Sequence, residues 1–552
     1  MPLLRLQACA RGSRRTTLLT QRKQPGRITH HVSDLAGYAY GTGDATTVSY
    51  AYDNDGRKLS ESDSLGHSTS YTYDAAGDLL SVSGVKGNFT YTYDNARNRI
   101  SMTDGDNNKT TYVYDARKRL QETDYPDSTK KTNAYDGPGN LTLVTDQAGN
   151  QVQYSYDAAN QLANVVQLNS PNTGQNTTIY GYDGDGNPIA FEDANTHTTQ
   201  QSFDLLSELT MTSLPDGSLS ETRTYDANGN LKTVTHFNGT VTTYTYDSLN
   251  RLLSRATPGE TTVSFTYTAT GKRATMTDAS GTTTYNYDNM DRLSSKITPE
   301  GTLSYTYDAA GNLQSIASSN ANGASMSYTY DNLNRVGSAT DKLGTTTYTY
   351  DGASNLYTAT YPNTAQAQYS YDPLNRISGL ATQNSGYTYQ RGPTGSLTNA
   401  SELNGRAVTW SFDGTYRLTG ENITGDPVSQ NNGTVSYDSL DPVGNRLSDT
   451  SFLTGVPSGN WHYNQDDELT NETYDSDGNV AMSGVNHFNY DSQNACPEDW
   501  KWSSFRHYAT GWEGTVEIES FWTAARRGGL PDRFRFRPET ESHISSRYGA
   551  PK

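Results

Sequence analysis

The stretches YTYDAAGDLL, residues 71–80, and YTYDAAGNLQ, residues 305–314, agree at eight of ten positions although they lie far apart in the chain. They are the best copies of a pattern that runs along most of the 552 residues. A Tyr-Asp pair occurs 17 times, with the aspartate at 53, 74, 94, 115, 136, 157, 183, 226, 247, 288, 308, 331, 351, 372, 438, 475 and 491. Weaker registers fill the gaps. Phe203-Asp204 and Phe412-Asp413 replace the ring, while Tyr267-Thr268, Tyr389-Gln390 and Tyr463-Asn464 lose the acid. Periods of about 20 residues mark a repeat array in which each unit is one supersecondary element.

The unit GNFTYTYDNARNRISMTDGDN, residues 87–107, shows how such an element is built. Tyr91 and Tyr93 are two residues apart, so in a strand both rings face one side and Thr92 the other. The strand stops at Asp94, whose carboxylate is placed to accept backbone N–H groups two or three residues on and so begin a turn. A Gly or Asn three residues later tolerates positive φ, as in Asp74-Ala-Ala-Gly77, Asp308-Ala-Ala-Gly311 and Asp247-Ser-Leu-Asn250. An apolar residue such as Leu79, Leu231, Leu252 or Leu313 then opens the returning strand. A second turn closes the unit, for example Asp146-Gln-Ala-Gly149, Asp278-Ala-Ser-Gly281, Asp341-Lys-Leu-Gly344 or Pro215-Asp-Gly217.

Each repeat is therefore a two-stranded hairpin, and the chain is all-β, one long antiparallel meander of about 22 hairpins. A single hairpin is marginal in water, so stability has to come from neighbours that stack their tyrosine pairs and leucines into one face. About 44 strands at about 4.8 Å each give a ribbon on the order of 210 Å along its contour. Strand twist prevents a sheet of that length from staying flat, and a curled or spiral β-shell is the expected outcome.

Composition supports a repeat body with two different ends. The apolar fraction is only 33%, but 41 tyrosines supply rings that bury apolar area while keeping the hydroxyl hydrogen-bonded. Residues 1–33 hold seven Lys or Arg and no acid; they carry no repeat and read as a disordered segment or misassigned start. Residues 34–496, the repeat body, hold 52 acids and 26 bases, a net charge of −26. Such a surface repels nucleic acid and anionic membrane. Cys9 and Cys496 sit at the margins and make no disulfide framework or metal-spaced cluster. No run of about 18 apolar residues exists to span a membrane, and the basic head has no apolar stretch of a secretory signal.

The pattern Tyr305-Thr-Tyr-Asp-Ala-Ala-Gly-Asn-Leu313, repeated in phase over residues 34–496, resembles the RHS/YD-repeat family. That family includes bacterial rearrangement-hotspot and wall-associated polymorphic toxins, shell subunits of insecticidal toxin complexes and the teneurin ectodomains. The resemblance implies a strip of hairpins coiled into a hollow shell, which in toxin members encloses a C-terminal effector. It also implies secretion or a cell-surface location, and family members have been linked to carbohydrate binding. Toxin members follow the repeats with a plugging segment that carries an Asp-Pro-x-Gly motif and in many cuts off the effector. Here Asp441-Pro442-Val443-Gly444 matches part of that motif but lies inside an ordinary repeat, so it is read as a turn, and the plug and protease are expected to be missing.

Residues 497–552 hold four of the six tryptophans and an arginine-rich stretch, Arg526 to Arg537, without any repeat. One reading is a small nuclease-like effector with His507 or His543 and Glu513, Glu517 or Glu519 as acid-base groups. The favoured reading is a truncated or out-of-frame end, because so short a segment rarely builds a core without disulfides or metal.

Two loops, Asp183-Gly-Asp185-Gly-Asn187 and Asp475-Ser-Asp477-Gly-Asn479, start like calcium loops but lack the Gly and Glu that an EF-hand needs at positions 6 and 12. They read as turns. The recurring aspartates likewise belong to the job every unit shares, which is reversing the chain. No catalytic, cofactor-binding or metal-ligating residue is assigned, and the chain is expected to be a non-enzymatic shell fragment. An encapsulated toxin is its expected partner; the alternative is an adhesion module with cell-surface glycans as ligands.

Overall fold

The computed structural model describes residues 48–168, 176–321, 323–456, 458–474, 480–483 and 486–487. The basic head, Cys9, Cys496, the loop at 475–479 and the whole of 497–552 lie outside these residues. Thirty-nine strands form one open sheet, from Ser49–Tyr52 to Gly459–Asn460, in which each strand pairs antiparallel with the strands before and after it in sequence. Three short strands, Thr473–Tyr474, Val480–Ser483 and Asn486–His487, make a second small sheet. A single 3-10 turn, Ser429–Asn431, is the one helical element among the described residues. The sheet is the expected meander, curled but not closed into a barrel.

Alternation sets the two faces. In Phe89–Tyr93 and Gly301–Tyr307 the tyrosines are half-buried and the threonines between them exposed. On the threonine face, hydroxyls pair across strands, as in Thr92 with Ser101 at 2.5 Å, Thr245 with Ser254 at 2.6 Å and Thr349 with Thr358 at 2.6 Å. On the tyrosine face, the largest buried cluster is Ala359, Ala367 and Leu380 beneath Tyr348, Tyr361, Tyr369, Tyr387 and Tyr389. Small residues suffice there because the wall is one sheet thick and the rings roof it.

The register shifts in each hairpin at the residue that precedes the turn, a tyrosine in most. Thr92 faces Ser101 but Tyr93 faces Arg99, and Thr245 faces Ser254 but Tyr246 faces Leu252. A bulge of this kind bends the strand and adds right-handed twist, and repeating it in every hairpin coils the ribbon. After about a dozen hairpins the ribbon meets itself: Ser64 Oγ donates to Ala309 O at 2.5 Å, and Asn334 Nδ2 donates to Asp63 Oδ2 at 3.1 Å, partners 245 and 271 residues apart. Gly105 and Gly352 pack backbone to backbone at this seam; a Cβ on Gly105 would lie 1.9 Å from the carbonyl oxygen of Gly352.

Candidate functional site

The ribbon has two edges, and both are made of turns. On the first edge lie the turns that follow the Tyr-Asp pair. Asp247 is representative: Oδ1 accepts the N–H groups of Leu249 at 2.8 Å and Arg251 at 3.0 Å, and Oδ2 accepts Arg251 Nε at 2.7 Å. The backbone donors are here two and four residues on, because the residue at the third place adopts the left-handed conformation and turns its N–H to the Asp247 carbonyl, at 3.0 Å from Asn250 N; the third-place N–H reaches the carboxylate in the Asp136 and Asp441 turns. That third place has positive φ whether it is Gly77 at 86°, Asn250 at 60° or Arg97 at 65°.

The residue at the fourth place is a partner that the Tyr-Asp-Gly reading passed over. It is arginine or asparagine in most turns, and it both closes its own turn and reaches forward. Arg119 Nη1 donates to Asp136 O at 3.0 Å, and its guanidinium lies 4.6 Å from the Tyr135 ring centroid. Arg335 stacks on Tyr350 at 4.4 Å, and Asn230 Nδ2 reaches Asn250 Oδ1 at 3.0 Å. The recurrence of Arg or Asn just before the leucine was the signal for it.

The second tyrosine of each pair reaches backward. Tyr93 Oη donates to Leu79 O at 2.9 Å, Tyr246 Oη to Leu231 O at 2.9 Å and Tyr350 Oη to Val336 O at 2.9 Å. Most hairpins are therefore held to their predecessor by a tyrosine hydroxyl and to their successor by an arginine or asparagine. Ring stacking was the expected glue, and pairs such as Tyr387–Tyr389 at 6.3 Å occur. The repeated contact is instead hydroxyl to backbone, since antiparallel neighbours place each hydroxyl beside the carbonyl that opens the preceding return strand.

The opposite edge carries the second turns, and these receive the next coil. The residue at the left-handed place of a later first-edge turn donates to the aspartate of an earlier second-edge turn. Asn334 Nδ2 bonds Asp63 Oδ2 at 3.1 Å, Asn375 Nδ2 bonds Asp104 Oδ2 at 3.0 Å, and the Tyr416 hydroxyl bonds Asp146 Oδ2. Arg376 adds an ion pair to Asp127 at 3.5 Å. Asp106 enters the same seam and is pushed above its ordinary carboxylate value by burial and by the charge of Asp351. A cavity of about 870 Å³ opens there, lined in part by Asp106, Asn108, Tyr357, Tyr369, Tyr371 and Tyr387.

The residues singled out in the sequence fall into place as turns. Asp183 Oδ1 accepts Asp185 N at 3.0 Å and Asn187 N at 2.9 Å, and Oδ2 accepts Asn187 Nδ2 at 2.9 Å, so both oxygens serve the chain reversal. Asp441 does the same work: Oδ1 accepts Gly444 N at 2.8 Å and Asn445 N at 2.7 Å, while Oδ2 accepts Asn445 Nδ2 at 2.9 Å. Asn195 of the earlier coil adds a bond to Asp441 Oδ2 at 2.9 Å, which makes this turn a seam contact. The loop at Asp475, together with His507, His543, Glu513, Glu517 and Glu519, lies outside the described residues. One group, Asp193, His197 and Asp467, has the composition of a metal site.

Seven segments, residues 52–88, 73–109, 135–175, 225–262, 247–283, 267–303 and 307–346, match the family model described as RHS Repeat. No curated protein matches the chain. Among solved structures, the crystal structure of TcdB2-TccC3-Cdc42 superposes with a TM-score of 0.65 at 15% identity, over 82% of this chain and 28% of that one. TcdB2-TccC3 without its hypervariable C-terminal region gives 0.65 at 16% identity over the same shares. The Tc holotoxin pore of Photorhabdus luminescens gives 0.64 at 15% identity, again over 82% and 28%. At these identities the likeness is one of fold, and the chain spans a little over a quarter of the structures it matches.

Proposed function

We propose that this chain, whose repeat body belongs to the RHS repeat family, is a structural segment of a shell that encloses an effector polypeptide for delivery in competition between cells. The observation that carries the reading is the seam. A ribbon that served only as a binding surface has no need to bond to itself one coil later, whereas a wall that keeps a polypeptide in and proteases out has to close the gap between coils. The seats at Asp63, Asp104 and Asp146 do that with side-chain hydrogen bonds rather than a buried apolar core. The fold likeness to TcdB2-TccC3 assemblies supports the same reading.

In this proposal residues 34–496 are the wall-forming repeat body, flanked by segments without a repeat pattern. The role is non-enzymatic, the carboxylates of the first edge being committed to their turns. The parent protein is secreted or displayed at the cell surface; among the described residues no helix is long and apolar enough to cross a membrane.

Electron cryomicroscopy of the full-length chain tests the wall, and limited proteolysis tests enclosure. The expected result is a hollow coiled particle in which a polypeptide fused after residue 496 resists an added protease until the seam is broken. Equal cleavage with the seam intact and broken would sink encapsulation. Specific retention on a glycan array with no protection of the fused segment would favour the adhesion role instead.

A further inference from the structure

The seats along the seam share one chemistry except in the fourth. In the first, Asp63 Oδ2 takes a hydrogen bond from Asn334, and His67 Nδ1 lies 3.0 Å from the same oxygen. In the second, Asn375 and Asn108 both donate to Asp104 Oδ2, at 3.0 and 3.1 Å. In the third, Tyr416 donates to Asp146 and accepts Asn150 Nδ2 at 2.8 Å. The incoming group is each time the residue at the left-handed place of its turn, three after Asp331, Asp372 or Asp413.

The fourth seat pairs Asp193 and His197 with Asp467, which is three after Asn464 and has φ of 62°. A carboxylate therefore stands where the other seats present a donor. The pair His197–Asp193, equivalent to His67–Asp63, is opened to 3.8 Å, and His197 Nδ1 lies 4.0 Å from Asp467 Oδ1. His197 Nδ1 is inaccessible to solvent and has no hydrogen-bond partner. Asp193 Oδ1 is occupied by the N–H groups of Asn195 and His197, at 2.8 and 2.9 Å, which leaves Oδ2 facing the ring. Asp467 Oδ1 accepts Asn445 Nδ2 at 2.8 Å, and Asp441, held by Asn445 and Asn195, adds a third carboxylate nearby. Two carboxylate oxygens and a bare imidazole nitrogen thus converge with no hydrogen bond between the ring and either carboxylate.

We propose that the fourth seat is a binding site for a divalent transition-metal ion of the zinc class, ligated by Asp193 and His197 from one coil and Asp467 from the next. The spacing fits: two bonds of about 2.0–2.2 Å each span gaps of this width with a shift of a few tenths of an ångström. The ligand set fits as well, since imidazole with carboxylates suits zinc and its neighbours better than magnesium or calcium. The ion replaces the missing donor, and because its ligands come from both coils it clasps the seam rather than merely decorating it.

Calorimetric titration of Zn²⁺ into the metal-stripped full-length chain tests the site by difference. Asp467→Asn restores the donor present at Asn334 and Asn375, and His197→Asn installs the residue that serves at Asn108 and Asn150, so both variants keep a usable seat; circular dichroism checks that they fold. The expected result is that each variant binds one equivalent of Zn²⁺ fewer than the unaltered chain. Hydrogen exchange at the 193–197 turn should slow on Zn²⁺ addition in the unaltered chain and not in Asp467→Asn. Equal stoichiometry in all three proteins would overturn the proposal. So would a turn that is protected by acidification but not by Zn²⁺, which would make a shared proton the occupant.

Discussion

The turns on the two edges of the ribbon do the same geometric job, reversing the chain between antiparallel strands, yet they are built under different constraints. Most of the described turns after a Tyr-Asp pair have neighbours about 20 residues away on both sides, a tyrosine hydroxyl going back and an arginine or asparagine going forward. Changing one unit therefore breaks contacts in two others, and the pattern stays uniform. The second turns show lateral bonds such as Arg406 to Asp426 at 3.1 Å only at some positions, without a repeated pattern. They range from the tight Asp278-Ala-Ser-Gly281, where Asp278 pairs directly with Gly281, to the wider Asp104-Gly-Asp-Asn-Asn108. The variable edge nevertheless carries the partner specificity of the seam. Uniformity here reports lateral packing, and variation reports contacts one coil away.

Acid should have the largest effect, and on both edges, since Asp63 and Asp104 at the seam are also held below the ordinary carboxylate value, burial being outweighed by hydrogen bonds from Asn334 and Asn375 among others. Hydrogen bonds from Asn98, Asn187, Asn230 and Arg251 hold Asp94, Asp183, Asp226 and Asp247 below the ordinary carboxylate value. A depressed folded value gives stability that is present above the unfolded value of about 4 and is lost as pH falls through the lower folded one. Asp106 at the seam has the opposite sign, since its raised value means that mild acid relieves rather than weakens it. The β-signal in circular dichroism is expected to persist at pH 5 and to collapse only below about 4. Loss of the sheet above about pH 5 would remove these carboxylates from the explanation.

Tyr350→Ala comes next, removing a half-buried ring, the bond to Val336 O and the platform for Arg335. A cost of about 3 kcal/mol is expected from truncating an aromatic side chain, read as faster hydrogen exchange in 336–356 and little change one coil away. Tyr350→Phe should recover most of this, leaving about 1 kcal/mol for the hydroxyl bond.

Replacing the turn acid by asparagine sharpens the comparison within the first edge. At Asp331 the amide would present a donor to Arg335 Nε, now 2.8 Å from Oδ2, and a cost of about 1–2 kcal/mol is expected from an unmade charged hydrogen bond. At Asp94 the opposing group is Asn98 Nδ2 at 2.8 Å, whose amide can turn over to accept, so Asp94→Asn should melt at nearly the parent temperature. Equal losses at both positions would mean that the fourth residue is not the partner that matters.

Asn375→Ala should have the smallest effect on stability, about 1 kcal/mol, from the loss of two exposed side-chain hydrogen bonds, one to Asp104 across the seam and one accepted from Asn355 of the preceding hairpin. Its distinguishing readout is remote: exchange should quicken in the 104–108 turn, 271 residues away, as well as in the 351–355 turn that bonds Asn375 from the preceding hairpin.

The hairpin, the two faces and the work of Tyr, Asp and Gly were legible in residues such as 71–80, because each rests on interactions within five residues or on a period of two. The fourth-place arginine or asparagine was equally visible but was passed over, since a single hairpin gives it no reason to be there. Its purpose lies in the next unit. The role of the second tyrosine was half legible: the ring belonged to the face, but only the structure put its hydroxyl on a carbonyl of the preceding hairpin.

The chain alone determined that this is a coiled β-wall of hairpin repeats, because turn chemistry and alternation are short-range and recur often enough to be read in register. Which turn meets which across the seam was decided only in three dimensions. The coil is the sum of a twist of some −20 to −25° per strand pair and one bulge per hairpin, carried over about a dozen hairpins. A change of a few degrees in each would move the partner of Asp193 by a whole turn. No local pattern encodes that sum, so the meeting of Asp193, His197 and Asp467 belongs to the tertiary structure.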